Sequence, residues 1–154
     1  KAIEIAKKNN TKIAITLSDS FCVDRHRSDF IGLLNGSADL VFCNEDELKS
    51  LYQVKDIELV QQFIADTINC IACTCAEKGA YLINKSSIVR ISTNKVSVID
   101  TTGAGDNFAA GFLYGLSKNF SLEKCTTFGN KIAGEVLKVY GPRIEKSLEN
   151  FIRR

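Results

Sequence analysis

The feature that most constrains the fold is an alternation of short apolar runs with stretches of helical spacing. Residues 12–17 alternate and are β-branched, and residues 39–43 and 69–74 are further short apolar runs, the last a buried-strand candidate. Residues 1–8, 28–34, 45–52 and 56–68 carry helical spacing, with Leu59, Phe63 and Ile64 recurring on one face of the last. Residues 80–83 and 88–91 read as two arms of a hairpin across 84–87, and residues 96–99 as one more strand. Next comes a helix whose Phe108, Gly111, Phe112 and Gly115 share a face, then a long helix over 122–140 stopped by Gly141 and Pro142, and a short charged helix. Strands alternating with helices predict a layered α/β fold, its sheet mostly parallel with an antiparallel patch near residues 80–91. The chain shows neither repeats nor low-complexity tracts nor linkers, so a single domain is expected over 1–154.

Composition narrows the function classes. A chain of 154 residues, 45% hydrophobic and 25% charged, has the balance of a globular domain. Twenty Lys and Arg against eighteen Asp and Glu leave a net charge of +2, without the basic surplus of nucleic-acid binders. No apolar run approaches the roughly 18 residues of a membrane span and no signal peptide opens the chain, so no membrane partner is expected. The six cysteines sit mostly in apolar surroundings, as buried thiols do in a reducing cytosol, and predict a cytoplasmic protein. Cys70, Cys73 and Cys75 lie in one strand-like run, not in the two spaced pairs of a zinc site. His26 is the only histidine, which excludes a His-pair metal centre. The chain contains no methionine and opens at Lys1 in a helical pattern, so it reads as the later part of a longer protein.

The strongest local chemistry lies at Asp100-Thr-Thr-Gly-Ala-Gly-Asp106, between a strand pattern and a helix pattern. Two glycines and an alanine allow a tight turn with N–H groups facing outward, and the following helix adds the positive end of its dipole. That combination suits a phosphate or a developing phosphoryl charge. The plainer reading makes Asp106 a helix N-cap, a role that needs no Gly-Ala-Gly before it. None of the ten glycines precedes a lysine, which excludes a P-loop, and Phe108 stands where a dinucleotide fingerprint needs its third glycine.

The run from Asp100 to Phe112 resembles the C-terminal signature of the PfkB-type, or ribokinase-like, carbohydrate and nucleoside kinases. Two further stretches match in order and approximate spacing. Asn44-Glu-Asp-Glu47 is similar to the family's Asn-x-x-Glu, and Thr74-Cys-Ala-Glu-Lys-Gly79 to its Thr-x-Gly-x-x-Gly nucleotide loop, with Ala76 in place of glycine. The resemblance covers essentially the whole chain, aligned to the latter half of a family member. It implies a three-layer α/β/α ribokinase-like domain without its N-terminal part and lid, residues 1–154 being the C-terminal, nucleotide-binding and catalytic portion.

The same resemblance implies site residues. Asp106 would be the general base toward the acceptor hydroxyl, and the N–H groups of Gly103, Ala104 and Gly105 the anion hole. Asn44 and Glu47 would hold Mg²⁺ through water, since that ion dehydrates reluctantly and takes few direct carboxylates. On spacing alone that pair is more often a helix start. Thr74, Ala76, Glu77 and Gly79 would follow the nucleotide, and Asn130 would lie beside the adenine, against the plainer reading of a polar residue on a half-exposed helix. Asp100 and Thr102 would bind a monovalent cation such as K⁺. The run Phe21 to Arg27 is most similar to the bacterial adenosine-kinase-like branch, where an aromatic at Phe21 walls the nucleoside site; a solvated charged loop is the alternative for Asp24 to Arg27. The implied activity is ATP-dependent phosphorylation of a hydroxymethyl group, on adenosine or another nucleoside in the first reading and on a sugar in the second. A non-catalytic nucleotide-binding module is the third. The implied partners are the small-molecule acceptor and, as a homodimer, a second copy of the chain.

Overall fold

The computed structural model describes residues 1–144 and residue 151. Five strands, β1 (Ala14–Thr16), β2 (Leu40–Asn44), β3 (Cys70–Thr74), β4 (Ala80–Ile83) and β5 (Ile88–Ile91), form one sheet in sequence order. β1 and β2 run parallel with Ile15 opposite Val41, and β2 and β3 run parallel with Asn44 opposite Thr74. β4 follows β3 across residues 75–79 and β5 follows β4 across 84–87. A parallel crossover needs about a dozen residues or more, so both steps return antiparallel. Asn84 closes the second: its N–H donates to Ser87 O at 3.0 Å, and its Oδ1 accepts from the N–H groups of Ser86 and Ser87 at 2.8 Å each.

The chain packs as two compact units. The first comprises Lys1–Thr74 and Tyr81–Val89, with helices α1 (Ala2–Lys8), α2 (Ser20–Arg25), α3 (Arg27–Ser37) and α4 (Glu45–Tyr52). Its core takes Val23 from α2, Leu34 from α3, Leu48 and Leu51 from α4, and Val41 and Ile71 from the sheet, all fully buried. Asp39 stitches the N-terminal ends of three strands. Its carboxylate accepts from Lys12 Nζ at 2.7 Å and Ile13 N at 2.9 Å, and its carbonyl from Asn69 N at 2.9 Å. The Lys12 hydrogen bond, then that of Ile13, holds the Asp39 carboxyl below the usual range.

The second unit comprises Cys75–Ala80 and Arg90–Arg154 and is built on α5 (Ala104–Ser117) and α6 (Leu122–Val136). All four residues assigned to one face of α5, Phe108, Gly111, Phe112 and Gly115, are buried. A Cβ on Gly111 would lie 3.0 Å from the Gly129 Cα, and one on Gly129 2.8 Å from the Phe108 carbonyl. The bare glycines let the two helices approach to backbone contact, around Ile132 and Cys125.

Several expectations fail for identifiable reasons. Residues 56–68 form a 3₁₀ helix over Ile57–Phe63 instead of an α-helix. Ile57 and Val60 are buried there while Leu59 and Phe63 are exposed, a spacing of three that fits three residues per turn. Residues 96–99 form no strand: Val98 and Ile99 are exposed, and the Ile99 N–H donates to Leu137 O at 2.8 Å. Asp24 to Arg27 is not a loop, because α2 and α3 meet at His26. The long helix ends at Val136, short of Tyr140. The closing charged helix falls largely outside the described residues. Cys70 and Cys73 are buried in β3 and Cys75 just beyond it.

Candidate active site

The glycine loop has a defined architecture. Gly103 is the N-cap of α5, in the left-handed conformation with φ 75° and ψ 8°. Ala104, Gly105 and Asp106 follow as the first three helical residues, positions whose N–H groups have no carbonyl within the helix. Asp106 is therefore not the N-cap. Its carboxylate is exposed in the first turn, at the positive end of the helix dipole. Of the three N–H groups assigned to an anion hole, that of Ala104 donates to Thr101 O at 3.2 Å and stabilises the turn itself.

What holds this loop came only partly from the motif. Asp100 Oδ1 accepts from Thr102 N at 2.9 Å and Thr102 Oγ1 at 2.7 Å, and its Oδ2 accepts from Gly141 N at 2.8 Å. These bonds, first those of the Thr102 and Gly141 backbone, hold the Asp100 carboxyl below its ordinary value. Asn107 Nδ2 donates to Gly103 O and to Pro142 O, each at 2.9 Å. A Cβ on Gly103 would stand 2.6 Å from Pro142 Cβ. Gly141 and Pro142, read from sequence as a helix stop, thus pack on the loop. Their separation of some forty positions left no signal in the motif.

In the same unit, residues 75–79 form a tight turn: Cys75 N donates to Gly79 O at 2.8 Å and Lys78 N to Cys75 O at 3.0 Å. Ala76, where the family pattern has glycine, takes φ 46°, a left-handed conformation that glycine adopts at lower cost. Gly79, at φ 95°, presses on β5; a Cβ there would lie 2.1 Å from Ile91 O. Glu77 is exposed between them. Asn130 reaches the same place. Its Nδ2 donates to Ile91 O at 3.3 Å and to Ser92 O at 3.5 Å, so Gly79 and Asn130 converge on residues 91–92. Asn130 is buried, which corrects the half-exposed alternative.

In the first unit, Asn44 and Thr74 are register partners at the C-terminal ends of parallel strands, the edge where open α/β sheets take ligands. Thr74 Oγ1 donates to Cys43 O at 3.3 Å. Asn44 caps α4 in a full capping box. Glu47 N donates to Asn44 Oδ1 at 2.9 Å, while Asn44 N and Nδ2 donate to the Glu47 carboxylate at 3.0 and 2.6 Å. The helix-start reading of this pair is therefore realised. Glu47 is nonetheless buried, and that burial, reinforced by the charges of Asp19 and Asp46 against the Asn44 backbone bond, raises its pKa. Phe21 projects from α2 with 79% of its surface exposed. Its neighbour Asp24 accepts a hydrogen bond from Ser50 Oγ, and His26 Nδ1 lies 3.6 Å from Asp29.

Comparisons with known proteins agree with these motifs. The model of the pfkB family carbohydrate kinases matches residues 1–148. The crystal structure of an adenosine kinase from Sinorhizobium meliloti superposes with a TM-score of 0.93 and 40% identity, covering 99% of this chain and 47% of that one. A fructokinase from Vibrio cholerae, in fructose, ADP and potassium ion bound form, gives 0.77 and 27%, covering 92% and 49%. An uncharacterised sugar kinase of Archaeoglobus fulgidus is 32% identical over 100 residues, 65% of this chain and 40% of that protein. The chain thus spans about half the length of the relatives it matches.

Proposed function

This chain belongs to the pfkB family of carbohydrate kinases and has its ribokinase-like fold, and we propose that it carries out ATP-dependent phosphorylation of a hydroxymethyl group, with a nucleoside, adenosine first, as acceptor. The observation that carries this reading is the start of α5: an exposed carboxylate at Asp106 beside the Gly103 and Gly105 N–H groups, on a helix capped by a left-handed glycine. A plain cap needs no Gly-Ala-Gly ahead of it.

In this reading Asp106 takes the proton of the acceptor hydroxyl as its oxygen bonds to the γ-phosphorus of ATP, and the bond from that phosphorus to the ADP oxygen breaks. The Gly103 and Gly105 N–H groups face the charge that develops on the transferred group, and the dipole of α5 adds to their effect. Thr74, Ala76, Glu77, Gly79 and Asn130 line the nucleotide, the last acting through the backbone of residues 91–92. Phe21 offers an exposed ring to a nucleobase.

The acidic side suits a divalent ion. Glu47 is a desolvated carboxylate with two acidic neighbours, and each of its oxygens retains a lone pair after the capping-box bonds. Asn44 and Glu47 would hold Mg²⁺ through its water shell, and the ion supplies neutralisation of phosphate charge. For a monovalent cation, Asp100 Oδ1 already accepts two bonds, so Oδ2 and the Thr102 hydroxyl oxygen are the groups with capacity left.

A sugar acceptor is the second reading, favoured by the fructokinase and sugar-kinase relatives. One experiment decides among the readings: ATP turnover by the full-length protein with adenosine, ribose and fructose side by side, repeated with Asp106→Asn. Adenosine-dependent turnover that falls on the order of 10²–10⁴-fold in the variant, with ATP affinity little changed, is expected. Turnover with ribose or fructose alone moves the acceptor to the sugars. ATP binding without turnover on any acceptor leaves a nucleotide-binding module, and near-normal turnover by Asp106→Asn removes the base.

A further inference from the structure

We propose that Asn107 and the Gly141–Pro142 segment are positioning residues that clamp the glycine loop, so that the geometry of the Gly103 and Gly105 donors depends on a segment some thirty-five positions away. The inference rests on the phosphoryl-transfer reading for its kinetic consequence, and on hydrogen-bond and packing geometry for the clamp itself.

Three independent contacts converge on the loop. Asn107 stands one turn into α5, and its amide reaches back to the carbonyl of Gly103, the N-cap, while holding the carbonyl of Pro142 at the same 2.9 Å. Both neighbours are acceptors, so the amide must point its nitrogen at them, and the orientation is chemically forced. On the other side of the loop Asp100 Oδ2 holds the Gly141 N–H at 2.8 Å. Between these bonds Pro142 packs directly on Gly103, where only the absence of a Cβ permits the approach. Gly141 takes φ 81°, which turns the chain sharply onto the loop.

The consequence follows from what the bonds orient. Gly103 has no β-carbon to lock its dihedrals, and its left-handed conformation is one of several open to glycine. Its carbonyl is already shared between Asn107 Nδ2 and Asn107 N, the latter also at 2.9 Å. Without the side-chain bond and the Pro142 contact, the N-cap peptide keeps only its backbone bonds to Asn107 N and Thr101 O, and the N–H groups on either side of it lose part of the restraint that fixes their common aim. Asp106, one residue before Asn107, takes part in none of these hydrogen bonds, so the clamp is separable from the base. A misplaced donor set costs rate without costing ground-state nucleotide binding, because only the transition state needs the full set.

The test uses Asn107→Ala, Asn107→Ser and Pro142→Gly, singly and with Asn107→Ala and Pro142→Gly combined. Asn107→Ser keeps one donor, which in a helix reaches the carbonyl four residues back, and so retains the Gly103 bond while losing that to Pro142. The expected order of kcat is wild type, then Asn107→Ser, then Asn107→Ala. The alanine variant should be lower on the order of 10–100-fold, with the KM for ATP unchanged. If both partners act through one clamp, the double variant is little slower than the worse single one; multiplying losses would mean separate effects and overturn the proposal. A second readout does not need turnover. Amide hydrogen exchange over residues 101–107 should accelerate in Asn107→Ala and Pro142→Gly alike, while β2 and β3 keep wild-type protection. Unchanged exchange at the loop refutes the clamp whatever the kinetics show. Faster exchange in both variants of a protein that phosphorylates no acceptor leaves the clamp standing and refutes the phosphoryl-transfer reading instead.

Discussion

The two glycines of the Gly-Ala-Gly loop look equivalent in sequence and are not equivalent in the structure, and replacing each by alanine separates them. At Gly103 the new Cβ must accept φ 75° and would stand 2.6 Å from Pro142 Cβ and 2.8 Å from Pro142 Cα. The left-handed backbone alone costs an L-residue about 1–2 kcal/mol. Relieving the overlap by shifting the Pro142 segment adds about 1–3 kcal/mol, the range found when extra carbons are forced into packed sites. The sum is about 2–5 kcal/mol. At Gly105 a Cβ meets nothing within 4 Å, its φ lies outside the left-handed region, and the residue is helical. Alanine there should be neutral or stabilise by up to about 1 kcal/mol through helix propensity. Urea denaturation of both variants, followed by circular dichroism, gives the difference directly if the slope is unchanged. Equal midpoints for the two variants, or a Gly103→Ala loss below about 0.5 kcal/mol, within the usual range of an unconstrained surface change, would refute the reasoning. The activity prediction is different in kind. Gly105→Ala keeps its N–H but adds a methyl group where a phosphate would approach, so a stable yet slow variant is expected.

Two further outcomes follow from the first unit. Tyr52 is buried with a hydroxyl that has no hydrogen-bond partner among the described residues, and burial pushes its pKa up to about 12. Tyr52→Phe should therefore raise stability by about 1 kcal/mol while the stacking on Phe63 persists; a loss in the same urea assay would mean that the hydroxyl is satisfied in solution. Asp39 has a folded-state pKa below its ordinary value, so its contribution is present above about pH 4 and lost as pH falls through the lowered value. Asp39→Asn should flatten the acid limb of the stability profile and leave the neutral-pH slope alone; an unchanged acid limb would assign that limb to other carboxylates.

Much of the fold was legible because its signals are local. Hydrophobic period separated strand from helix for β2, β3, α4 and α5, and the connections of a few residues dictated the antiparallel returns at β4 and β5. Where period alone misled, tertiary contacts had overridden it. Residues 96–99 look like a strand, yet the Ile99 N–H is taken by Leu137, and residues 57–63 tightened to three residues per turn to bury Ile57 and Val60.

The candidate site divides along the same line. Sequence by itself determined the residue types and their order: a carboxylate three positions past a glycine, an Asn and Glu at capping-box spacing, a glycine after Thr74. These are properties of neighbouring residues, set by backbone sterics and short-range hydrogen bonds. Only the tertiary structure decided which of them are exposed and which hold the fold. It made Gly103 the N-cap and left Asp106 exposed, spent the Ala104 N–H on Thr101, and buried Glu47 beside Asp19. It also brought Pro142 onto Gly103, and Gly79 and Asn130 onto the same two residues of the chain. Contacts between residues distant in sequence leave no periodicity or spacing to read, because the chain pays for them in loop-closure entropy and recovers that only when the surrounding helices and strands have already packed.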